Sequence, residues 1–322
     1  MTVPTPQTTS SRSIAGRIIA AAALALLLSA LLAGSLASLA AASEPTASES
    51  AAPTVAGEPA VGETVEEEFD VAKEFEREVL VALPSVGPVD LSITKGVAYL
   101  LITLGVICVG AFAVNRGVKM QPGRFQVMME AIYSLTRDGI VGSVMKSGQE
   151  TWFPYIGSAF VFILVSNLVG LIPLPFAEGH QLSFYSATAN LNVAIMLALC
   201  TFLFTHYAGI RKNGLARYLV NWAPASAPTV LKPPIWAIHA ISEIFRLVSL
   251  SVRLFANMVA GHAILAVFFA MAVVFQSFLA SVVLQGGSTL IYLFEVFVAF
   301  IQAFIFAILS AVYIGGSLDQ DH

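Results

Sequence analysis

Five apolar runs of about 20 residues or more stand out along the chain: Gly96 to Asn115, Phe153 to Phe176, Ser186 to Ala208, Pro234 to about Phe275, and Ser288 to about Gly315. Each is long enough to cross a hydrocarbon core about 30 Å thick as a helix. Lipid offers backbone amides no hydrogen bonds, so segments of this kind must be helical. The pattern predicts an all-α polytopic membrane protein with about five transmembrane helices in the mature chain, the last two long and antiparallel. Between Arg124 and Lys146, the residues Phe125, Met128, Met129, Ile132, Leu135 and Ile140 recur at helical spacing, which predicts a helix lying in the membrane interface. Val65, Phe69, Ala72 and Val79 repeat in the same way among charges and predict a short amphipathic helix before the first span.

The first 43 residues follow a different plan. Arg12 and Arg17 precede an Ala/Leu run from Ile18 to about Leu32, and small residues follow up to Ser43, the layout of a secretory signal peptide. An uncleaved membrane helix running to Ala42 and an organellar transit peptide remain as alternatives. From Glu44 to Glu63 the chain is Ala, Pro, Glu, Thr and Ser, too polar to offset the entropy of ordering, and is expected to be disordered. The chain thus divides into a signal-like segment (1–43), an acidic extension (44–90) and a membrane domain (91–322).

Composition agrees with lipid as the main solvent: 57% of residues are hydrophobic and 11% charged, against about a quarter charged in soluble domains. The net charge of -4 arises in the acidic stretch up to Glu78 and describes no membrane surface. No nucleic-acid partner is expected. Cys108 and Cys200 lie in apolar runs without metal or disulfide spacing, so both are expected to be structural and no metal or cofactor is expected. Arg116, Lys119 and Arg124 follow the first span and Arg211, Lys212 and Arg217 the third, whereas the loops after the second and fourth hold no Lys or Arg. The basic loops are therefore expected in the cytoplasm, with the mature N-terminus outside and Asp319 to His322 inside.

Between Pro233 and Gly316 the charged side chains are Glu243, Arg246, Arg253 and Glu295, joined by His239 and His262. An ionisable group at membrane depth costs about 2.5 to 3.5 kcal/mol on insertion scales, so it marks a pathway or a pair. His239, Glu243, Arg246, Leu250, Arg253 and Asn257 step by four and three, which predicts one helix face. Glu295, Gln302 and Tyr313 form a second stripe on the last span. If these spans run antiparallel, the helical rise sets His262 roughly 13 Å outward of Arg253 and Glu295 roughly 10 Å outward of Gln302. The expected arrangement is an outer pair (His262, Glu295), a central Arg253 with Asn257 and Gln302, and an inner pair (Glu243, His239). An arginine does not exchange protons; it is a fixed positive barrier. A carboxylate moving past it would have to come from a partner.

The run Ser249-Leu250-Ser251-Val252-Arg253-Leu254-Phe255-Ala256-Asn257-Met258-Val259-Ala260-Gly261-His262 resembles the signature of the a subunit of F-type ATP synthases. Ser166 to Pro173, Thr188 to Asn192, Gln302 to Phe306, and Pro122 to Gln126 with Glu130 extend the resemblance, which covers about Ile93 to the C-terminus. It implies a proton-translocating stator subunit, without nucleotide chemistry of its own, whose last two helices face a rotor ring. The implied partners are the c-subunit ring, the b subunits of the peripheral stalk and the rest of the complex. The implied location is a bacterial inner membrane, with the mitochondrial inner membrane as the alternative. Carried over by position, Arg253 is the stator charge, Asn257 and Gln302 are its polar neighbours, and His262 and Glu295 hold the outer half-channel positions. His239 stands where a carboxylate is usual, with Glu243 one turn away; Asn190 stands where an aspartate is common; Leu247 replaces a frequent proline.

Plainer readings accompany these. Arg253 could pair within its own chain, Glu243 and Arg246 could be an ion pair near the headgroups, and His239 could be an interfacial histidine. Tyr313 reads better as an interface anchor. Asn167 and Asn192 read equally as helix–helix contacts or channel lining. His206 carries no functional expectation. The rival function is a stand-alone transporter or channel, which usually carries internal repeats that this chain lacks; an intramembrane hydrolase lacks a nucleophile–base pair.

Overall fold

The computed structural model describes residues 79–81, 93–117, 123–172, 185–223, 227–274 and 278–319. The signal-like and acidic segments and nearly all of the amphipathic repeat from Val65 lie outside these residues. Val79 is the exception, and it is not helical. It opens β1 (Val79–Val81), which pairs antiparallel with β2 (Ile93–Thr94). Val-Leu-Val favours a strand through its β-branched side chains.

The remaining elements are helical: α1 (Lys95–Gly117), α2 (Arg124–Ser134), a π-helical segment (Leu135–Val141), α3 (Gln149–Gly170), α4 (Leu191–Asn213), α5 (Leu215–Val220), α6 (Lys232–Val274) and α7 (Phe278–Leu318). Five of them, α1, α3, α4, α6 and α7, are long and apolar enough to cross a membrane.

Several boundaries differ from the hydropathy pattern, each for a local reason. The second span stops at Gly170 rather than Phe176, because the chain turns at Leu171. The third begins at Leu191 rather than Ser186. Ser186 instead caps a 3-10 turn (Ala187–Ala189), and the Asn190 side chain accepts the Asn192 N–H at 3.0 Å as the N-cap of α4. The last helix starts at Phe278, well before Ser288, carrying Gly286 and Gly287 inside it. The predicted helix between Arg124 and Lys146 forms as one continuous run, α-helical to Ser134, π-helical over Leu135–Val141 and α-helical again over Gly142–Val144. α2 buries none of its residues in the protein, and the wider turn brings Thr136, Ile140 and Val141 inward.

α7 is the centre of the bundle, packing on α3, α4 and α6, while α1 lies against α3 at the periphery. Ala299, Ala303, Ala307 and Ala311 are all buried along one face of α7. A seam of small residues lets neighbouring backbones approach closely, and Phe160, Ile163, Leu254 and Phe306 complete the core. Gly261 of α6 lies against Glu295 of α7, and Gly287 of α7 against Phe268 of α6, so the two helices run antiparallel. At the end carrying the basic loops, Asp319 accepts from the Ser147 hydroxyl at 2.8 Å and pairs with Lys212 at 3.4 Å. This clamps the α7 C-terminus to α4.

Candidate functional site

The first turns of α6 gather the inner residues. The Glu243 carboxylate is 8% exposed and accepts from Arg246 at 2.5 Å, with His239 Nε2 3.3 Å away. The Arg246 guanidinium sits 5.0 Å over the Tyr313 ring of α7, bringing Tyr313 into this cluster as a cation–π partner. Thr201 and Thr205 of α4 line a small pocket with Glu243, Arg246 and Tyr313.

The sequence did not single out the aromatic group beside this cluster. Trp222 stacks on Trp236 at 5.4 Å and lies 5.0 Å from the His239 ring; the His206 ring is 6.0 Å from Trp222 on another side. Trp236 donates from its indole to the Leu219 carbonyl at 3.0 Å, and a Cβ on Gly209 would overlap the Tyr218 ring. Gly209 thus lets α5 fold back on α4. The signal available in advance was compositional: Tyr218, Trp222, Trp236 and two histidines within 34 residues of one another in sequence, 206 to 239.

The middle of α6 is built differently. Leu250 and Leu254 are buried, yet Arg253 between them is exposed and makes no ion pair or hydrogen bond among the described residues. The predicted stripe is real as a spacing but lies at the edge of the packed face, so Glu243 and Leu250 turn inward and Arg253 outward. Asn257 has a buried side-chain nitrogen without a partner, and Gln302, 6% exposed, has no hydrogen bond among the described residues.

Glu295 is 7% exposed and reaches over Gly261; a Cβ there would overlap its carboxylate. The contact puts Glu295 at the level of His262, the depth that the helical rise predicts. The two side chains are not joined, however. His262 is 2% exposed with Nδ1 unpartnered, and no hydrogen bond or ion pair links it to Glu295. Successive residues on a helix point about 100° apart, so the carboxylate lying over Gly261 is offset around α6 from the direction in which His262 leaves the helix.

Towards the opposite end, Asn167 accepts from the Thr188 hydroxyl at 2.5 Å and donates to the Ala299 carbonyl at 3.5 Å. Ser186 joins Thr188 at 2.6 Å and donates to the Ser166 carbonyl at 3.1 Å. All four polar residues are fully buried, so Asn167 acts as a helix–helix contact between α3 and α7; Asn192 is half-buried. Beside them Lys95, 1% exposed, lies 5.7 Å over the Tyr185 ring, itself bonded to Asn190. Burial pushes the Tyr185 phenol above its ordinary range, which keeps it a donor. Among the described residues there is no His/Cys/Asp/Glu group able to hold a metal ion.

Comparison with known proteins follows the same residues. Residues 97–315 match the family model described as ATP synthase A chain. Among curated relatives, the chain is 37% identical over 240 residues to "ATP synthase subunit a" of Rubrobacter xylanophilus, covering 74% of this chain and 89% of that one. It is 34% identical over 265 residues to "ATP synthase subunit a" of Afipia carboxidovorans (79% of this chain, 99% of that one). The protein of the same name from Neorickettsia sennetsu is 34% identical over 247 residues (76% and 97%).

Proposed function

This chain belongs to the ATP synthase A chain family and is an integral membrane protein, and from that premise we propose that it is the proton-conducting stator subunit of an F-type ATP synthase. In this reading it works against a ring of c subunits, held by the b subunits of the peripheral stalk. The observation that carries the reading is Arg253: a cation at mid-helix, turned outward, with no counter-charge among the described residues. An intramembrane charge without a partner in its own chain calls for one from outside.

Protons enter from the outer side near His262 and Glu295 and leave on the inner side near His239 and Glu243. Arg253 stands between the two routes with Asn257 and Gln302, and its fixed charge blocks direct passage. A ring carboxylate about 4 Å away would be attracted by roughly 4 kcal/mol at an effective dielectric near 20, which favours its ionised form. The proton is released to one route and a new one is taken up from the other, so the ring turns. The basic loops set the inner side in the cytoplasm of a bacterium. Residues 1–43 are then a signal segment, and 44–90 an extension outside the proton path.

Arg253→Ala in the assembled complex tests this. Gradient-driven ATP synthesis in vesicles should be abolished while ATP hydrolysis by the soluble sector persists. Arg253→Lys should also fail, because lysine lacks the planar fork and sheds its proton when desolvated. Normal synthesis in either variant would remove the proposal.

A further inference from the structure

Two groups meet the His239 imidazole. Its Nε2 is 3.3 Å from the Glu243 carboxylate, and its ring centroid lies 5.0 Å from that of Trp222, with 42° between the planes. Among the described residues no other hydrogen bond, ion pair or ring contact holds it. A contact at one nitrogen leaves an imidazole able to turn about its Cβ–Cγ bond, whose torsional preference is broad. The indole restricts that rotation, because aromatic rings with centroids about 4.5 to 7 Å apart attract one another.

Trp222 is itself held on several sides. Trp236 stacks on it at 5.4 Å with 29° between the planes, while Tyr218 and His206 meet it edge-on at 5.9 and 6.0 Å. Trp236 and His239 stand three residues apart on α6 and so share one face of its first turns. The indole spans both. Trp236 also donates to the Leu219 carbonyl at 3.0 Å, which ties α6 to α5, and Tyr218 of α5 packs against Gly209 of α4. An indole N–H only donates, so Trp222 has no lone pair to offer a travelling proton. Its part is placement.

We propose that Trp222 is a positioning residue of the inner proton exit: its indole holds the His239 ring so that Nε2 stays beside the Glu243 carboxylate. This rests on His239 and Glu243 being the inner exit. There, a proton on the Glu243 carboxyl passes to the Nε2 lone pair, leaving a carboxylate and an imidazolium, and the imidazolium gives a proton to water at the inner face. A ring turned away from Glu243 cannot take part in the first step.

The test is a double-mutant cycle on ATP-driven proton pumping by the whole complex in inverted vesicles, at equal content of this chain. Trp222→Ala should lower the pumping rate about three- to tenfold, the worth of one aromatic pair. Trp222→Phe keeps a flat ring beside His239 and should restore most of the rate. In a His239→Gln background, Trp222→Ala should lower the rate no further, because the ring that it places is gone. An undiminished rate in Trp222→Ala, or an equal loss in both backgrounds, would overturn the inference, the second because it shows an effect that does not pass through His239. If Trp222→Ala does not assemble, Trp222→Leu keeps the bulk without the flat ring and is carried through the same cycle with the same two criteria. If His239→Gln and Glu243→Gln both leave pumping unchanged, the inner-exit reading itself has failed. Loss at His239 and Glu243 with none at Trp222 removes the Trp222 proposal alone.

Discussion

At the start of α6, Glu243 holds Arg246 at 2.5 Å and His239 at 3.3 Å, and Tyr313 closes over the guanidinium. About five turns further along, Glu295 reaches over Gly261 and His262 is enclosed in the fold, yet neither has a hydrogen-bond partner among the described residues. Arg253, between these regions, is unpaired as well. The inner cluster has its charges matched within the chain, and the centre and outer part do not. An unsatisfied buried polar group costs about 1–3 kcal/mol, so the outer region is held by the packing around it; in the proposed function its unpaired groups are the ones that exchange protons. Removing a group from the paired region should weaken the structure first. In the unpaired region the first loss should be flux.

Among the tests of this contrast, the largest expected effect is at Gly261. Its substitution by Ala drives a methyl into the Glu295 carboxylate, and outer-side proton flux should fall tenfold or more in a complex that still assembles. Gly110→Ala on α1, where the added methyl meets nothing within 4 Å, is the control and should leave flux unchanged. Equal behaviour of the two variants in vesicle flux assays would break the comparison. Glu295→Gln should slow entry as well, most at high outer pH, where protons are scarcest.

Glu243→Ala leaves Arg246 without its carboxylate. Arg246 keeps 41% of its side-chain exposure, so the cost is discounted to about 1–2 kcal/mol. Retention of the chain in the complex during heating should drop at a lower temperature than for Glu295→Gln, and the reverse order would contradict the contrast.

Asn167→Ala removes the bridge between Thr188 and the Ala299 carbonyl. It should cost about 1–3 kcal/mol by leaving Thr188 and Ala299 underpaired, read as earlier loss of α3 protection in hydrogen exchange. The smallest effect should come from Lys212→Gln. Its ion pair with Asp319 is exposed and 3.4 Å long, worth about 0–1 kcal/mol. A shift in heat stability larger than that of Glu243→Ala would show that the basic-end clamp, rather than the inner cluster, secures α6 and α7.

Much of this was legible in the sequence. Apolar run length gave five spans, because backbone desolvation in lipid leaves helices as the solution for them. The rise per residue put Glu295 level with His262, and three-and-four spacing joined His239, Glu243 and Arg246. The resemblance around Arg253 agreed with the family. Helix ends were less visible, since they depend on local caps such as Ser186 and Asn190 and on a π turn that hydropathy does not register.

Partnership among the polar groups was decided by the tertiary structure alone. Spacing gives the angle of a side chain on its own helix, but not which neighbour meets that angle or how close the backbones come. Glu295 lies over Gly261, in the room left by the missing Cβ, and makes no hydrogen bond to the His262 ring. Trp222 meets both His206 and His239, following a segment that Gly209 lets pack back onto α4 through Tyr218. Sequence determined which residues are polar and at what depth; helix–helix contact, set by the smallest residues at each crossing, determined which of them are paired and which are left free.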